Sequence, residues 1–275
     1  MKHFLSVLVL GLVCCLASAQ KFSWERAVMD GSRTGVVAST ADNVAEALGR
    51  MDGESSYCAP NGRVFRGGVT PKVASLLLAA QEQMAPVKQV IAHSTREMIR
   101  RGPECELSNW FVDALMAAAE RLSGKKVSLG IVNFGGIRVD MPEGDVLLDD
   151  IMSMFPFKNN ICYLELSGKD ILALLQQLAS SGWQPVGGAR CRVREGRFVS
   201  AEIDGRPVEE DRYYGVATIS FLLDGGDGIA VAKNSRNLRI FDEYILDVML
   251  PYVRSLTAAG KPIEYSTDGR IVFED

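Results

Sequence analysis

The sequence predicts an α+β fold, a mixed β-sheet flanked by helices. Runs with helical spacing and short β-branched runs are interspersed along the chain rather than grouped. Some strand patterns follow one another through turns of a few residues, which a purely parallel sheet does not allow. At 275 residues and 47% hydrophobic content the chain can bury a sizeable core, and no internal repeat or low-complexity linker divides it.

The chain opens like a secretory signal peptide. Met1-Lys2-His3 supplies the positive start, 4–16 the apolar stretch, and Ala17-Ser18-Ala19 a small-residue cleavage site. Cleavage after Ala19 is expected, giving an exported, periplasmic protein. Cys14 and Cys15 stand in a poor context for a lipid anchor. The apolar stretch is too short to span a bilayer, and no later one is long enough.

Residues 20–84 read as an N-terminal extension packed on the domain that follows. Turn signals fill 20–68: Asp30-Gly31-Ser32, Asp52-Gly53-Glu54 and Pro60-Asn61-Gly62. A short helix is predicted over 43–51, capped from Thr40 or Asp42. Thr70 caps a stronger helix with Pro71 at its first position and Val73, Leu76, Leu77 and Ala80 at helical spacing. A strand is predicted over 87–92. Ser108 then caps the clearest amphipathic helix, whose stripe of Trp110, Phe111, Ala114, Leu115, Ala118 and Leu122 reads as core.

The run 127–132 reads as a buried strand ending in Asn133-Phe134-Gly135-Gly136-Ile137-Arg138. Paired glycines at a strand end let backbone approach a ligand closely. Asn133 offers a donor and an acceptor, and Arg138 a fork suited to phosphate or a ribose edge. The same residues also suit a tight turn with Arg138 in a surface ion pair. An acidic turn follows at Pro142-Glu143-Gly144-Asp145, then a short helix over 149–154, then Phe155-Pro156-Phe157, which sets an aromatic on a rigid turn. A strand over 161–166 leads to a helix over 169–178 capped by Ser167. Strands are predicted over 188–194, 197–203 and 213–220, with Asp204-Gly205 a hairpin turn between the last two. A helix over 243–256 and a strand over 270–273 end the chain.

Composition narrows the chemistry. A net charge of −4 without basic runs argues against nucleic acid or an anionic membrane as partner. Of two histidines one is His3, so after export only His93 remains, and it reads as a partly buried polar residue. Dinuclear phosphoesterase, zinc hydrolase and Ser-His-Asp chemistries lean on histidine. Gly226-Asp227-Gly228 lacks the third glycine of a dinucleotide fingerprint, since Val231 stands there. Cys58, Cys105, Cys162 and Cys191 permit three disulfide pairings, and read as scattered thiols with no zinc spacing. Arg100-Arg101, beside a helix start, suits either an anion or a solvated edge. The chain carries no self-sufficient catalytic constellation.

Four motifs, in order, resemble the C-terminal domain of 5′-nucleotidases. They are Asn133-x-Gly135-Gly136-x-Arg138, Pro156-Phe157-x-Asn159, Leu164-x-Leu166-x-Gly168-x-x-Ile171, and Phe221-x-x-x-Gly225-Gly226-Asp227-Gly228. The resemblance covers about 85–275 and implies that family's fold. It implies a nucleoside clamp: Phe157 and Phe221 sandwich the base, Asp227 holds ribose hydroxyls, and Asn133, Arg138 and Arg101 hold the nucleoside and its phosphate end. In the family this domain follows a dinuclear metallophosphoesterase domain, with Asp-x-His, Gly-Asn-His and Gly-His-x-His stretches that this sequence lacks. The resemblance therefore implies a free-standing nucleotide-binding subunit of a split 5′-nucleotidase, acting in nucleotide catabolism. Divalent metals and hydrolysis would belong to a separate metallophosphoesterase chain. The alternative is a non-catalytic, extracytoplasmic nucleoside or nucleotide-binding module. A third reading is a structural protein whose inherited pocket no longer binds.

Overall fold

The computed structural model describes residues 31–274, so the signal peptide, its Ala19 cleavage site, Cys14 and Cys15 lie outside the described residues. Helix α1 (Val44–Leu48) leads into three short antiparallel strands, β1 (Arg50–Met51), β2 (Ser56–Cys58) and β3 (Val64–Arg66). The expectation of irregular chain here is corrected. The turn signals at Asp52-Gly53-Glu54 and Pro60-Asn61-Gly62 connect strands too short to announce themselves. Helix α2 (Val69–Met84) packs on all three strands and on α1. It starts behind Gly68, whose backbone is left-handed, rather than behind Thr70. Pro71 still falls in the first turn, where a missing N–H costs nothing. Tyr57, Ala59 and Ala74 form a small core there, separate from the main one, with Met51, Phe65 and Leu78 against it.

The remaining elements are β4 (Val90–Ser94), α3 (Glu106–Ser123), β5 (Leu129–Ile131), β6 (Gly144–Leu147), α4 (Leu148–Met154), β7 (Asn160–Ser167), α5 (Gly168–Ser181) and β8 (Val186–Gly187). They continue with β9 (Ala189–Arg194), β10 (Arg197–Ile203), β11 (Arg206–Pro207), β12 (Tyr213–Ile219), β13 (Arg236–Tyr244), α6 (Ile245–Ala258) and β14 (Ile271–Glu274). A five-stranded mixed sheet runs β13-β7-β12-β5-β8, a four-stranded one β11-β10-β9-β14, and β4 pairs with β6. The α+β expectation holds. Helix α3 buries Trp110, Phe111, Leu115 and Ala118 in the main core, with Ala114 and Leu122 partly buried beside it.

Several local expectations are corrected. Cys105, not Ser108, caps α3; the Ser108 hydroxyl accepts from the Cys105 N–H while the Ser108 N–H donates to the Cys105 sulfur. Asp204-Gly205 joins β10 to β11, and β12 belongs to the other sheet. The acidic turn runs straight into β6, because Gly144–Leu147 finds β4 as a partner. Strand β13 escapes sequence reading: it is a mostly exposed edge with two register irregularities, so no alternating pattern survives. His93 is exposed, 3.6 Å from Asp145, because its strand alternates outward there. Among the described residues Cys58, Cys105, Cys162 and Cys191 are free, and burial pushes the Cys162 and Cys191 thiols up to about 12, which keeps them protonated.

Candidate functional site

Sheet topology decides where the candidate loops meet. Strands β5 and β12 are parallel neighbours, Val216 facing Leu129 and Ala217 facing Gly130, so their C-terminal ends lie at one edge. Strand β7 runs antiparallel to β12, Ile161 facing Ile219, so its N-terminal end lies at that edge too. Three loops therefore emerge together: 133–138 after β5, 155–159 before β7, and 220–228 after β12. The N–H of Asn160 donates to the Ser220 hydroxyl at 3.0 Å, tying the second loop to the third.

The first loop is a single 3-10 turn, Phe134–Gly136, entered from buried Asn133. The Asn133 amide donates to the Asp227 carboxylate at 2.7 Å. Its own oxygen, Oδ1, is buried and has no hydrogen-bond partner among the described residues. A Cβ on Gly136 would sit 2.8 Å from that oxygen, and one on Gly135 3.5 Å from the Asp227 carboxylate. The Gly-Gly pair thus keeps the ground beside an unpaired acceptor clear. Arg138 donates to the Gly135 carbonyl at 3.1 Å, and its guanidinium lies 5.7 Å from the centroid of the Phe157 ring.

In the second loop two phenylalanines take opposite roles. Phe155 is buried against Phe111 and Trp110, with ring centroids 4.6 and 6.3 Å away. Two residues on, Phe157 is 46% exposed. The third loop carries Phe221, 45% exposed, in the 3-10 turn Ser220–Leu222. Gly225, with φ 107°, turns the chain back. A Cβ on Gly226 would lie 2.2 Å from the Phe221 carbonyl oxygen and 2.7 Å from its ring, so only glycine lets the turn close over that ring. Asp227 adopts a left-handed backbone, φ 51°, a conformation aspartate tolerates better than most residues. Gln177 of α5 holds the turn by donating to the Gly228 carbonyl at 2.7 Å.

Contacts therefore connect Phe157, Arg138, Gly135, Gly136, Asn133, Asp227, Gly226 and Phe221, with Gly225 shaping the last turn. Arg101 stands apart, exposed and without a hydrogen bond or ion pair among the described residues. Its neighbour Arg100 braces the first loop instead, donating to the Ile137 carbonyl at 2.7 Å and to the Phe134 carbonyl at 3.4 Å. Gln184, accepting from the Phe134 N–H at 2.8 Å, is a second brace that no local motif signals. Two concavities lie elsewhere. A cleft of about 560 Å³ is lined by Asp113, Arg190, Asp204, Asp268 and Arg270, and another of about 720 Å³ runs between α3 and α6. Their size alone does not make them sites, since neither is lined by the three loops. Among the described residues no group of three or more His, Cys, Asp or Glu side chains could hold a metal, and no helix is long and apolar enough to cross a membrane.

A family profile described as "5′-nucleotidase, C-terminal domain" matches residues 90–234. The trifunctional nucleotide phosphoesterase protein YfkN of Bacillus subtilis is 29% identical over 195 residues, 64% of this chain and 13% of that protein. An apyrase of Tabanus yao is 26% identical over 76% of this chain and 43% of its own length. Among solved structures, a 5′-nucleotidase precursor from Thermus thermophilus superposes with a TM-score of 0.65 at 26% identity. That superposition covers 78% of this chain and 45% of the other. The chain thus spans less than half the length of each of these relatives.

Proposed function

Because this chain belongs to the 5′-nucleotidase C-terminal domain family, we propose that it is the nucleotide-binding subunit of a split 5′-nucleotidase. Phe157 and Phe221 stack on the base, each contact contributing about 1–3 kcal/mol. The Asp227 carboxylate accepts from the ribose hydroxyls, and the unpaired Asn133 Oδ1 takes a further hydrogen bond from the ligand. Arg138 faces the phosphate end, with Arg101 the more distant second cation. The observation that carries the reading is the convergence of three loops at one sheet edge, two of them bearing half-exposed phenyl rings and two joined by the Asn133–Asp227 hydrogen bond.

The division of labour follows from chemistry. Binding and orienting the ester need the donors and rings gathered here. Hydrolysis needs metal-activated water, and the donors for such metals would be a separate metallophosphoesterase chain's. The protein is exported and meets its substrate outside the cytoplasm; N-terminal sequencing of the mature protein should begin at Gln20, and an acylated Cys14 or Cys15 would refute this.

Calorimetric titration of the purified mature chain with adenosine, AMP and UDP-glucose tests the binding half. Heat of binding from at least one is expected, and silence from all three refutes the clamp. Hydrolysis of AMP by the chain alone with Mn²⁺, Co²⁺ or Zn²⁺, surviving repurification, would refute the split. Binding that no phosphoesterase chain converts into turnover would instead mark a solute-binding module.

A further inference from the structure

Two glutamines stand either side of the C-terminal end of α5, and each reaches a different wall of the loop cluster. The Gln184 side-chain oxygen accepts from the Phe134 N–H at 2.8 Å, so it fixes the peptide that joins Asn133 to the first loop. The Gln177 side-chain amide donates to the Gly228 carbonyl at 2.7 Å, on the residue that follows Asp227. One glutamine thus uses its acceptor and the other its donor.

The chain that carries them is anchored at both ends. Helix α5 buries Ile171, Leu174, Leu175 and Leu178 in the main core. Beyond the helix, the Pro185 carbonyl accepts from the Val132 N–H at 3.2 Å, and Val186 pairs with Ile131 on β5. From Gln177 to Val186 the backbone therefore runs from the third loop to the first, fastened to each.

Directly, the same two loops are joined by the hydrogen bond from Asn133 to Asp227. The buried Asn133 Oδ1 beside it still lacks a partner among the described residues. Ordering a loop on binding subtracts from affinity, so an acceptor already held in place takes a ligand group more tightly than one that swings.

We infer that Gln177 and Gln184 are positioning residues of the nucleotide site, the end of α5 being a bracket that holds Asn133 and Asp227 at their working separation. That role rests on the nucleotide-binding reading and is exerted through Asn133 and Asp227 rather than on the ligand.

The same substitution has opposite forecasts at the two positions. Gln184→Glu keeps an oxygen to accept from the Phe134 N–H, whereas Gln177→Glu sets a carboxylate against the Gly228 carbonyl. Calorimetry of the mature chain with adenosine, AMP and UDP-glucose reads the outcome. Gln177→Glu and Gln184→Met should each weaken binding by about two- to tenfold, the loss expected from one missing hydrogen bond. Gln184→Glu should stay within about twofold of the parent, and Gln177→Lys, which restores a donor, should recover what Gln177→Glu loses. Gln176→Glu, an exposed neighbour on the same helix, should leave binding unchanged. Amide hydrogen exchange reads the bracket without ligand: the Phe134 N–H should exchange faster in Gln184→Met and at the parental rate in Gln184→Glu.

Variants that all bind like the parent overturn the bracket and leave the nucleotide reading standing. Faster exchange at Phe134 with unchanged affinity does the same, as a brace without consequence for the site. Equal losses from Gln184→Met and Gln184→Glu, or from Gln176→Glu and Gln177→Glu, would mark a role in folding alone and also overturn it. A parent silent with all three ligands ends the nucleotide reading, and this inference with it.

Discussion

The cleft beside Arg270 and the loop cluster beside Asp227 both gather charged side chains, yet they use their hydrogen-bonding capacity differently. Arg270 is buried; it donates to both Asp113 oxygens at 2.8 and 2.7 Å and to Asp268 at 2.9 Å. Beside it the Glu104 carboxylate accepts from the backbone N–H groups of Asp268, Gly269 and Arg270 and from Asn109. Burial works against the Arg270 charge, but Asp113 and Asp268 outweigh it and raise its pKa. These groups are satisfied by the chain itself, and they clamp β14 alongside β9. The loop cluster leaves one buried acceptor unpaired and two phenyl rings half in solvent. A saturated network specifies a fold, whereas an unsaturated one beside exposed rings is prepared for something else to complete it.

Mutations should separate the two regions. Arg270→Ala removes one partner of a buried pair and should cost about 3–5 kcal/mol of stability in urea unfolding, with nucleotide affinity unchanged in whatever fraction remains folded. If affinity fell in step with nothing lost in stability, the contrast would be inverted. Asp227→Asn keeps the shape and the tolerance for a left-handed backbone but removes the charge. Calorimetry should register a loss of about 1.5–3 kcal/mol in nucleoside binding. Phe157→Ala and Phe221→Ala should each weaken binding by about 1–3 kcal/mol and cost about 1 kcal/mol or less of stability. A core role would reverse those two effects.

The smallest effect is one of pH. Burial would push the Glu165 carboxyl up, but hydrogen bonds from Lys125, Asn237 and Arg236 outweigh it and hold it at about 2, below its ordinary 4.5. Since the folded-state value is the lower one, this stabilisation is complete above the unfolded value and is lost as pH falls through about 4.5 towards 2. Melting temperature should fall over that window, and Glu165→Gln should flatten the fall.

Legibility in the sequence follows burial. Strands β5 and β7 and helix α3 are readable because buried apolar residues impose a period. Ser167 is a legible cap, since its hydroxyl does accept from the Asp170 N–H. Strands β1 to β3 and β13 are not, because short or edge strands bury too little to carry a pattern. At the candidate site, Asn133, Gly135, Gly136, Arg138, Phe157 and the Gly225–Gly226–Asp227 turn announce themselves by motif. Arg100 and Gln184 do not, since bracing a backbone carbonyl or N–H from afar leaves no mark on the local sequence. The apolar spacing of α2 is visible, yet Val73, Leu76 and Leu77 are exposed, since spacing alone does not say which apolar face is covered.

The closing of Gly226 over Phe221 separates what the site is built from and what it touches. A Cβ at 226 would meet both the Phe221 carbonyl oxygen, at 2.2 Å, and the Phe221 ring, at 2.7 Å, so the bare Gly226 backbone is what leaves the ring its place. An aromatic at 221 whose ring edge matches that of phenylalanine can keep the same perch, whereas any side chain at 226 dismantles it. Variation in base preference is thus open to the ring while the turn beneath it stays closed to change. A library randomised at 157 and 221 with Gly226 held constant would explore new ligands on an intact frame.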